Sequence, residues 1–340
     1  MAADGVLVLA GLFLAHLAAD FLLQTGGIVA DKSASGRRVL RGLGLHGAGV
    51  AVCLVPFVAL FGAPGLWTLV LVTVTHVVID RAKAVATRRA EARALAAAHS
   101  RHASGVASPI ALGPAWTPVP AGLFILDQAA HAAILVGAWA IWLAGATPVP
   151  DVAAAIDAAL GGWNRVAVHD AALTAVVLAS LVIVNVRAGA LFVAILVHPR
   201  EAVTGAALPD EPRPAGASAA RGTGWRIRLG PLEAVAEPVA EKPVGAEAAH
   251  PTGGRDAGHA SPARVGATIG IIERLLIATF VLTGAEAAIG FVVAAKTLAR
   301  FRQLDDRDFA EYYLLGTLAS VSVALGSALL AAAALGTLAR

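Results

Sequence analysis

The sequence predicts an all-α fold, a polytopic transmembrane helix bundle of about eight spans, and three observations predict it. Of 340 residues, 58% are hydrophobic and only 14% charged, against about 25% charged in a soluble domain. Mean hydropathy is +0.74. Apolar runs of about 20 residues, the length at which a helix crosses a bilayer core, recur along the chain. The single cysteine, Cys53, excludes an intrachain disulfide and a cysteine metal cluster. The net charge of +3 records Lys and Arg in loops beside spans, so nucleic acid is not an expected partner.

The spans are expected at about 5–23, 43–62, 66–86, 121–145, 168–190, 265–283, 285–301 and 311–337. No basic segment precedes the first, which is therefore expected to be a retained helix rather than a cleaved signal peptide. The Ala- and Arg-rich stretch Ala84–Ala98 extends the third as a helix. The fifth runs on in apolar residues to Val197. The sixth and seventh are divided only by "LTGAEAA", which leaves open a tight hairpin or one long element. Residues 199–264 are rich in Pro, Gly, Ala and charge and read as a cytoplasmic, disordered linker, with a short ordered piece around "WRIRLGPL". The chain thus divides into a four-helix membrane domain at 1–147, a connecting span at 148–198, the linker at 199–264 and a C-terminal membrane domain at 265–340.

Loop charges set the orientation. Lys32, Arg37, Arg38 and Arg41 follow the first span. Arg81, Lys83, Arg88, Arg89, Arg93 and Arg101 follow the third, and Lys296, Arg300 and Arg302 end the seventh. The alternate loops carry little positive charge. The positive-inside rule then puts the N-terminus outside and these basic segments inside, in the bacterial cytoplasmic (inner) membrane.

Against this apolar background a polar set stands out. His16 and Asp20, and His76 and Asp80, are spaced i, i+4; Asp127 and His131 reverse the order; His46 opens the second span. Residues four apart lie on one helix face. In the topology above, all seven fall in the cytoplasmic half of the bilayer. An ionisable group there costs at least about 2.5–3.5 kcal/mol, so such groups face the bundle interior and pair. Imidazoles and carboxylates at one level suit a divalent metal, zinc or manganese first, held by His16, Asp20, His46, His76, Asp80, Asp127 and His131. Seven donors exceed one open site. The surplus is expected to serve a second ion, to orient imidazoles, or to act as general base, with Asp20, Asp80 and Asp127 as the catalytic carboxylates. The bland alternative is a hydrogen-bonded network that locks helices together. Gln24 and Gln128 continue the polar faces, and Lys83 reads as a side chain reaching for the interface.

The C-terminal half carries Glu273 and Arg274 in the sixth span, Lys296 and Arg300 at the end of the seventh, and Glu311, Tyr312 and Tyr313 opening the eighth. Ion pairing with an aromatic belt is one reading. A basic pocket of Arg274, Lys296 and Arg300 for a phosphate or lipid headgroup is the other. His99, His102, His169, His198, His250 and His259 lie in loops, the linker or an outer helix end and are read as bystanders. No Walker A, nucleophile elbow, His-Glu-x-x-His or dinucleotide fingerprint occurs.

The run "AHLAADFLLQT", the histidine opening the second span, "THVVIDRAK" and "LDQAAH" together resemble a bacterial integral membrane family known as domain of unknown function 3307. The segments "IGIIERLLIATF", "AIGFVVAAKTLARF" and "EYYLLGTLAS" are similar to the C-terminal region of its longer members. A looser likeness is to bacterial membrane-bound metal-dependent hydrolases, which also set His and Asp motifs on transmembrane helices, although their early His-Arg and Thr-His-Ser pattern is missing here. The function expected is a metal-dependent hydrolase with a cytoplasm-facing intramembrane site, acting on a phosphate-bearing or other lipid or amphiphile among membrane lipids. The alternatives are a proton or metal-ion transporter using the same set, and a non-enzymatic membrane scaffold or sensor.

Overall fold

Long apolar stretches fold as helices, even across Pro56 inside the helix Arg37–Phe61, because a bilayer offers the backbone few other partners. The computed structural model describes residues 5–34, 36–103, 115–197, 225–229, 234–238 and 262–336. Its helices are α1 (Gly5–Leu23), α2 (Gly26–Ser33), α3 (Arg37–Phe61), α4 (Ala63–Ala103), α5 (Val119–Leu143), α6 (Pro150–Ala159), α7 (Arg165–Val197), α8 (Pro262–Leu282), α9 (Ala287–Ala299) and α10 (Arg307–Leu335). Among the described residues, α1, α3, α4, α5, α7 and α10 are long and apolar enough to cross a membrane. The chain is a multi-pass membrane protein.

The short helices α2 and α6 were not expected from the sequence; the first begins on a Gly-Gly pair that masks it. The "LTGAEAA" segment proves to be a break, with Gly284 at φ +70 between α8 and α9. With 13 residues α9 spans about 20 Å, short of a hydrocarbon core of about 30 Å. Residues 1–205 and 262–340 form one compact unit, and residues 206–261 another. In the second unit Trp225–Leu229 pairs antiparallel with Ala234–Pro238, Ile227 opposite Ala236. At the end of the expected linker, residues 262–264 already belong to α8; apart from these and the two strands it lies outside the described residues, as do His198, His250 and His259.

Two features of the bundle position the polar residues. The first is the α3–α4 hairpin. Gly62 takes φ +62, and a Cβ on Gly65 would lie 2.1 Å from the Phe57 carbonyl oxygen, so only glycine lets the two helices approach this closely. His46 lies 16 residues before Gly62, and His76 and Asp80 lie 14 and 18 after it, which brings the three level. The second is the fold-back of α2 onto α3. A Cβ on Gly42 would sit 2.6 Å from the Lys32 backbone nitrogen, so this glycine seats α2 against the bundle.

The apolar core lies at the other end of the same helices. Val8 and Leu12 of α1, Leu54, Phe57 and Phe61 of α3, Val72 of α4 and Leu135, Ala138 and Leu143 of α5 form one buried cluster. A second joins Leu173, Val177 and Leu181 of α7 to Ala278 and Val281 of α8 and Ala328 and Ala331 of α10.

Candidate functional site

The structure brings all seven His and Asp residues into one buried layer. His16, His46, His76, Asp80, Asp127 and His131 are each at most 6% exposed, and the Asp20 side chain is 8% exposed. Asp20 lies in a π-helical turn, Ala19–Leu23, that ends α1. Such turns recur at functional sites because the wider turn re-aims a side chain. Here it carries Asp20 Oδ1 to 2.9 Å from His76 Nε2 and 3.2 Å from His46 Nε2. The two Nε2 atoms are themselves 2.9 Å apart. His46 Nε2 is also 3.2 Å from Asp80 Oδ2.

The other two histidines close the layer. The His131 ring stacks near His76, centroids 4.1 Å apart, and near His16 at 4.9 Å. His131 Nδ1 donates to the Asp127 backbone carbonyl at 2.9 Å. That bond fixes the tautomer and leaves Nε2 a bare lone pair. His16 Nε2 lies 3.4 Å from Gln128 Oε1 and 3.8 Å from Asp20 Oδ2.

Two lysines complete the site. Lys32 Nζ donates to Asp80 Oδ2 and, at 2.9 Å, to Gln24 Oε1. Lys83 Nζ donates to Asp127 Oδ2 at 2.6 Å and stands 3.5 Å from Asp80 Oδ1. Sequence reasoning placed Lys32 in a basic loop and Lys83 at the interface. Only the fold-back of α2 brings Lys32 inward. For Lys83 a signal existed: it sits i+3 from Asp80, on the face already marked as polar. The lysines also sort the carboxylates. Asp80 and Asp127 each hold an ammonium, whereas among the described residues neither lysine pairs with Asp20.

Among the described residues, several buried atoms of the layer lack a hydrogen bond: His16 Nδ1, His76 Nδ1, His131 Nε2 and Asp127 Oδ1. Buried polar atoms are nearly always partnered, so a cluster of exceptions calls for a physical cause. Mutually close lone pairs repel unless a cation or proton lies between them. Donors of three groups, Asp20/His46/His76, His16/Asp20/His131 and His76/Asp80/His131, come within 4.8 Å of one another. Metal–ligand bonds of about 2.0–2.2 Å put neighbouring ligand atoms roughly 3–3.5 Å apart. The Asp20/His46/His76 triangle, with edges of 2.9, 2.9 and 3.2 Å, has that size.

A cavity of about 520 Å³ opens beside this layer. Its polar lining comes from Asp20, Gln24, Lys32, Asp80, Lys83 and Gln128 beside the layer, with Thr87, Arg88 and Glu91 further along α4, and its apolar lining from Phe21, Val29, Pro120, Phe124, Leu191 and Ile195. Ligand pockets combine features in this way, apolar surface with a few convergent polar groups.

The C-terminal set is arranged differently. Lys296 Nζ donates to Glu273 at 2.7 Å. Arg274 turns away: its Nε donates to the Asn185 carbonyl at 2.7 Å and its Nη1 to Ser320 Oγ at 3.1 Å. Arg300 lies over the Phe309 ring, 5.9 Å from its centroid. Adjacent residues on a helix point about 100° apart, so Glu273 and Arg274 address different neighbours. Arg274, Lys296 and Arg300 thus each keep separate partners.

Fold and site together define a multi-pass helical membrane protein with a buried imidazole–carboxylate layer. Residues 8–153 match the family model described as protein of unknown function (DUF3307). All seven layer residues and both lysines lie inside the match. No curated protein and no solved structure matches the chain.

Proposed function

We propose that the chain is a metal-dependent hydrolase of the bacterial inner membrane, its His/Asp layer facing the cytoplasm, acting on a lipid or other amphiphile. The observation that carries this reading is the Asp20/His46/His76 triangle, built around the one carboxylate of the layer that no lysine holds. Zinc or manganese suits two imidazoles and a carboxylate. Such an ion would lower the pKa of a bound water to about 7 and polarise the bond to be cut. Asp80, which lines the cavity between Lys32 and Lys83, would take the water's proton. Asp127 would hold Lys83 in place at the cavity wall. The cavity supports the amphiphile, since its apolar lining accepts a chain while polar groups of its lining lie beside the layer. The basic segments that flank the layer, Arg37, Arg38 and Arg41 on one side and Arg81, Arg88 and Arg89 on the other, support the cytoplasmic orientation.

Transport by a proton or metal-ion relay has less support. A relay needs polar groups through both leaflets. The far halves of α1, α3, α4 and α5 instead close on the buried apolar cluster of Leu12, Leu54, Phe57 and Leu135. The test is hydrolysis of a panel of lipid esters by the full chain in detergent. Activity lost to a chelator and restored by zinc or manganese is expected; turnover indifferent to the chelator would refute the metal-dependent reading.

A further inference from the structure

We infer that the layer holds two divalent ions bridged by Asp20, and that the pair takes the phosphate monoester head of a lipid. The inference rests on the metal-hydrolase reading and adds the number of ions and the substrate class.

One ion does not use the donors present. An ion in the Asp20/His46/His76 triangle leaves His16 and His131 unused, each with a buried ring nitrogen that has no hydrogen bond among the described residues, His16 Nδ1 and His131 Nε2. His131 is already prepared as a ligand, because its Nδ1 is committed to the Asp127 carbonyl. The two remaining imidazoles form their own donor group, and the residue they share with the first group is Asp20. Its oxygens divide accordingly: Oδ1 faces His46 and His76, and Oδ2 faces His16 at 3.8 Å. A carboxylate with one oxygen toward His46 and His76 and the other toward His16, and shared by both donor groups, is placed as a bridging ligand. Bridged pairs of ions stand about 3.5–4 Å apart and clamp both the attacking and the leaving oxygen of a displacement.

Charge then selects the substrate. Three carboxylates, Asp20, Asp80 and Asp127, face two ammoniums, Lys32 and Lys83, so the layer alone carries one excess negative charge. Two divalent ions convert that to three excess positive charges in a site where uncompensated charge is costly. A phosphate monoester dianion cancels two of them. A neutral ester does not. The apolar lining of Phe21, Val29, Phe124 and Leu191 fits the acyl or prenyl part of the same molecule. In the reaction the oxygen of water forms the new bond to phosphorus. The ester P–O bond breaks onto the lipid alkoxide, which takes the proton the water gave up; no group is oxidised or reduced.

The test uses the full chain in detergent, stripped and reloaded with Mn(II). Two Mn(II) per chain with an exchange-coupled electron paramagnetic resonance spectrum are expected. His131→Ala should retain one, and Asp20→Asn should lose the coupling. One uncoupled Mn(II) per wild-type chain would overturn the pair while leaving the hydrolase reading intact; none at all would overturn both. Phosphate release is then compared between phosphatidic acid and glycerol 3-phosphate, which share a head and differ in the chains. At least a tenfold higher kcat/KM for the lipid is expected. Equal rates, or cleavage of a neutral lipid ester but not of phosphatidic acid, would overturn the substrate class alone.

Discussion

The molecule buries polar groups inside its membrane helices in two places, and the two are opposites. The His/Asp layer of α1, α3, α4 and α5 has more lone pairs than hydrogens to fill them: imidazole nitrogens and carboxylate oxygens lie about 3 Å apart, and several have no hydrogen bond. The knot around Arg274, where α7, α8 and α10 meet, is built around a buried donor. Arg274 is 2% exposed, and among the described residues no carboxylate pairs with it. It is held instead by the Asn185 carbonyl and the Ser320 hydroxyl. Asn185 lies in the π-helical turn Val184–Ala188, where the slipped register leaves a carbonyl for a side chain. Gly189 makes room, since a Cβ there would stand 3.1 Å from Arg274 Nε. The knot draws its bonds from the Asn185 carbonyl and the Ser320 hydroxyl, leaves Arg274 Nη2 and Asn185 Oδ1 without a hydrogen bond among the described residues, and closes three helices. The layer does not satisfy itself, and it borders a cavity. Equal cost of burial therefore says little about role. A cluster of unmet lone pairs within reach of one another, and access to a cavity, separate a site from a structural device.

The contrast breaks most visibly at Lys83. Its ammonium neutralises Asp127, whose side chain is 1% exposed, and stands near Asp80. Removing one partner of a buried ion pair costs about 3–5 kcal/mol, so Lys83→Met should lower thermal stability in detergent by several degrees. Added zinc or manganese should recover part of that loss, because a cation can take over the freed carboxylates. Recovery by neither ion would place Lys83 in a purely structural role. The effect at Arg274 should be smaller. Arg274→Met leaves the Asn185 carbonyl unpartnered, a cost of about 1–3 kcal/mol, and relieves the burial of a guanidinium, which offsets it. Melting should shift little, and metal content should stay at the wild-type value. A fall in metal content would join the two regions into one site.

How much of this was legible in the sequence follows from the range of each interaction. His16/Asp20, His76/Asp80 and Asp127/His131 declare themselves because i, i+4 spacing is local and ionisable residues in apolar runs are conspicuous. Their common depth follows from loop charges and span lengths. The level meeting of His46 with His76 depends on a hairpin centred on Gly62, which equal counting on either side would have shown. Lys32 could not be found this way. It lies eight residues past Gln24 in a stretch that reads as a basic loop, and only the close seat of α2 at Gly42 turns it into the layer. Nor could the division of Arg274, Lys296 and Arg300 among separate partners be read. Their charges suggest one pocket, and the choice between neighbours is made by helix rotation, which depends on packing across α7, α8 and α10.

The central claim is that the layer binds a divalent ion through Asp20, His46 and His76. Elemental analysis of detergent-purified full-length protein tests it most directly, wild type beside the His46→Ala/His76→Ala double variant, each exposed to zinc and to manganese and then freed of excess. At least one ion per wild-type chain, and at least one fewer in a double variant of unchanged helix content, is the expected result. Wild-type protein that retains neither ion would contradict the account and leave the layer a hydrogen-bonded brace between helices.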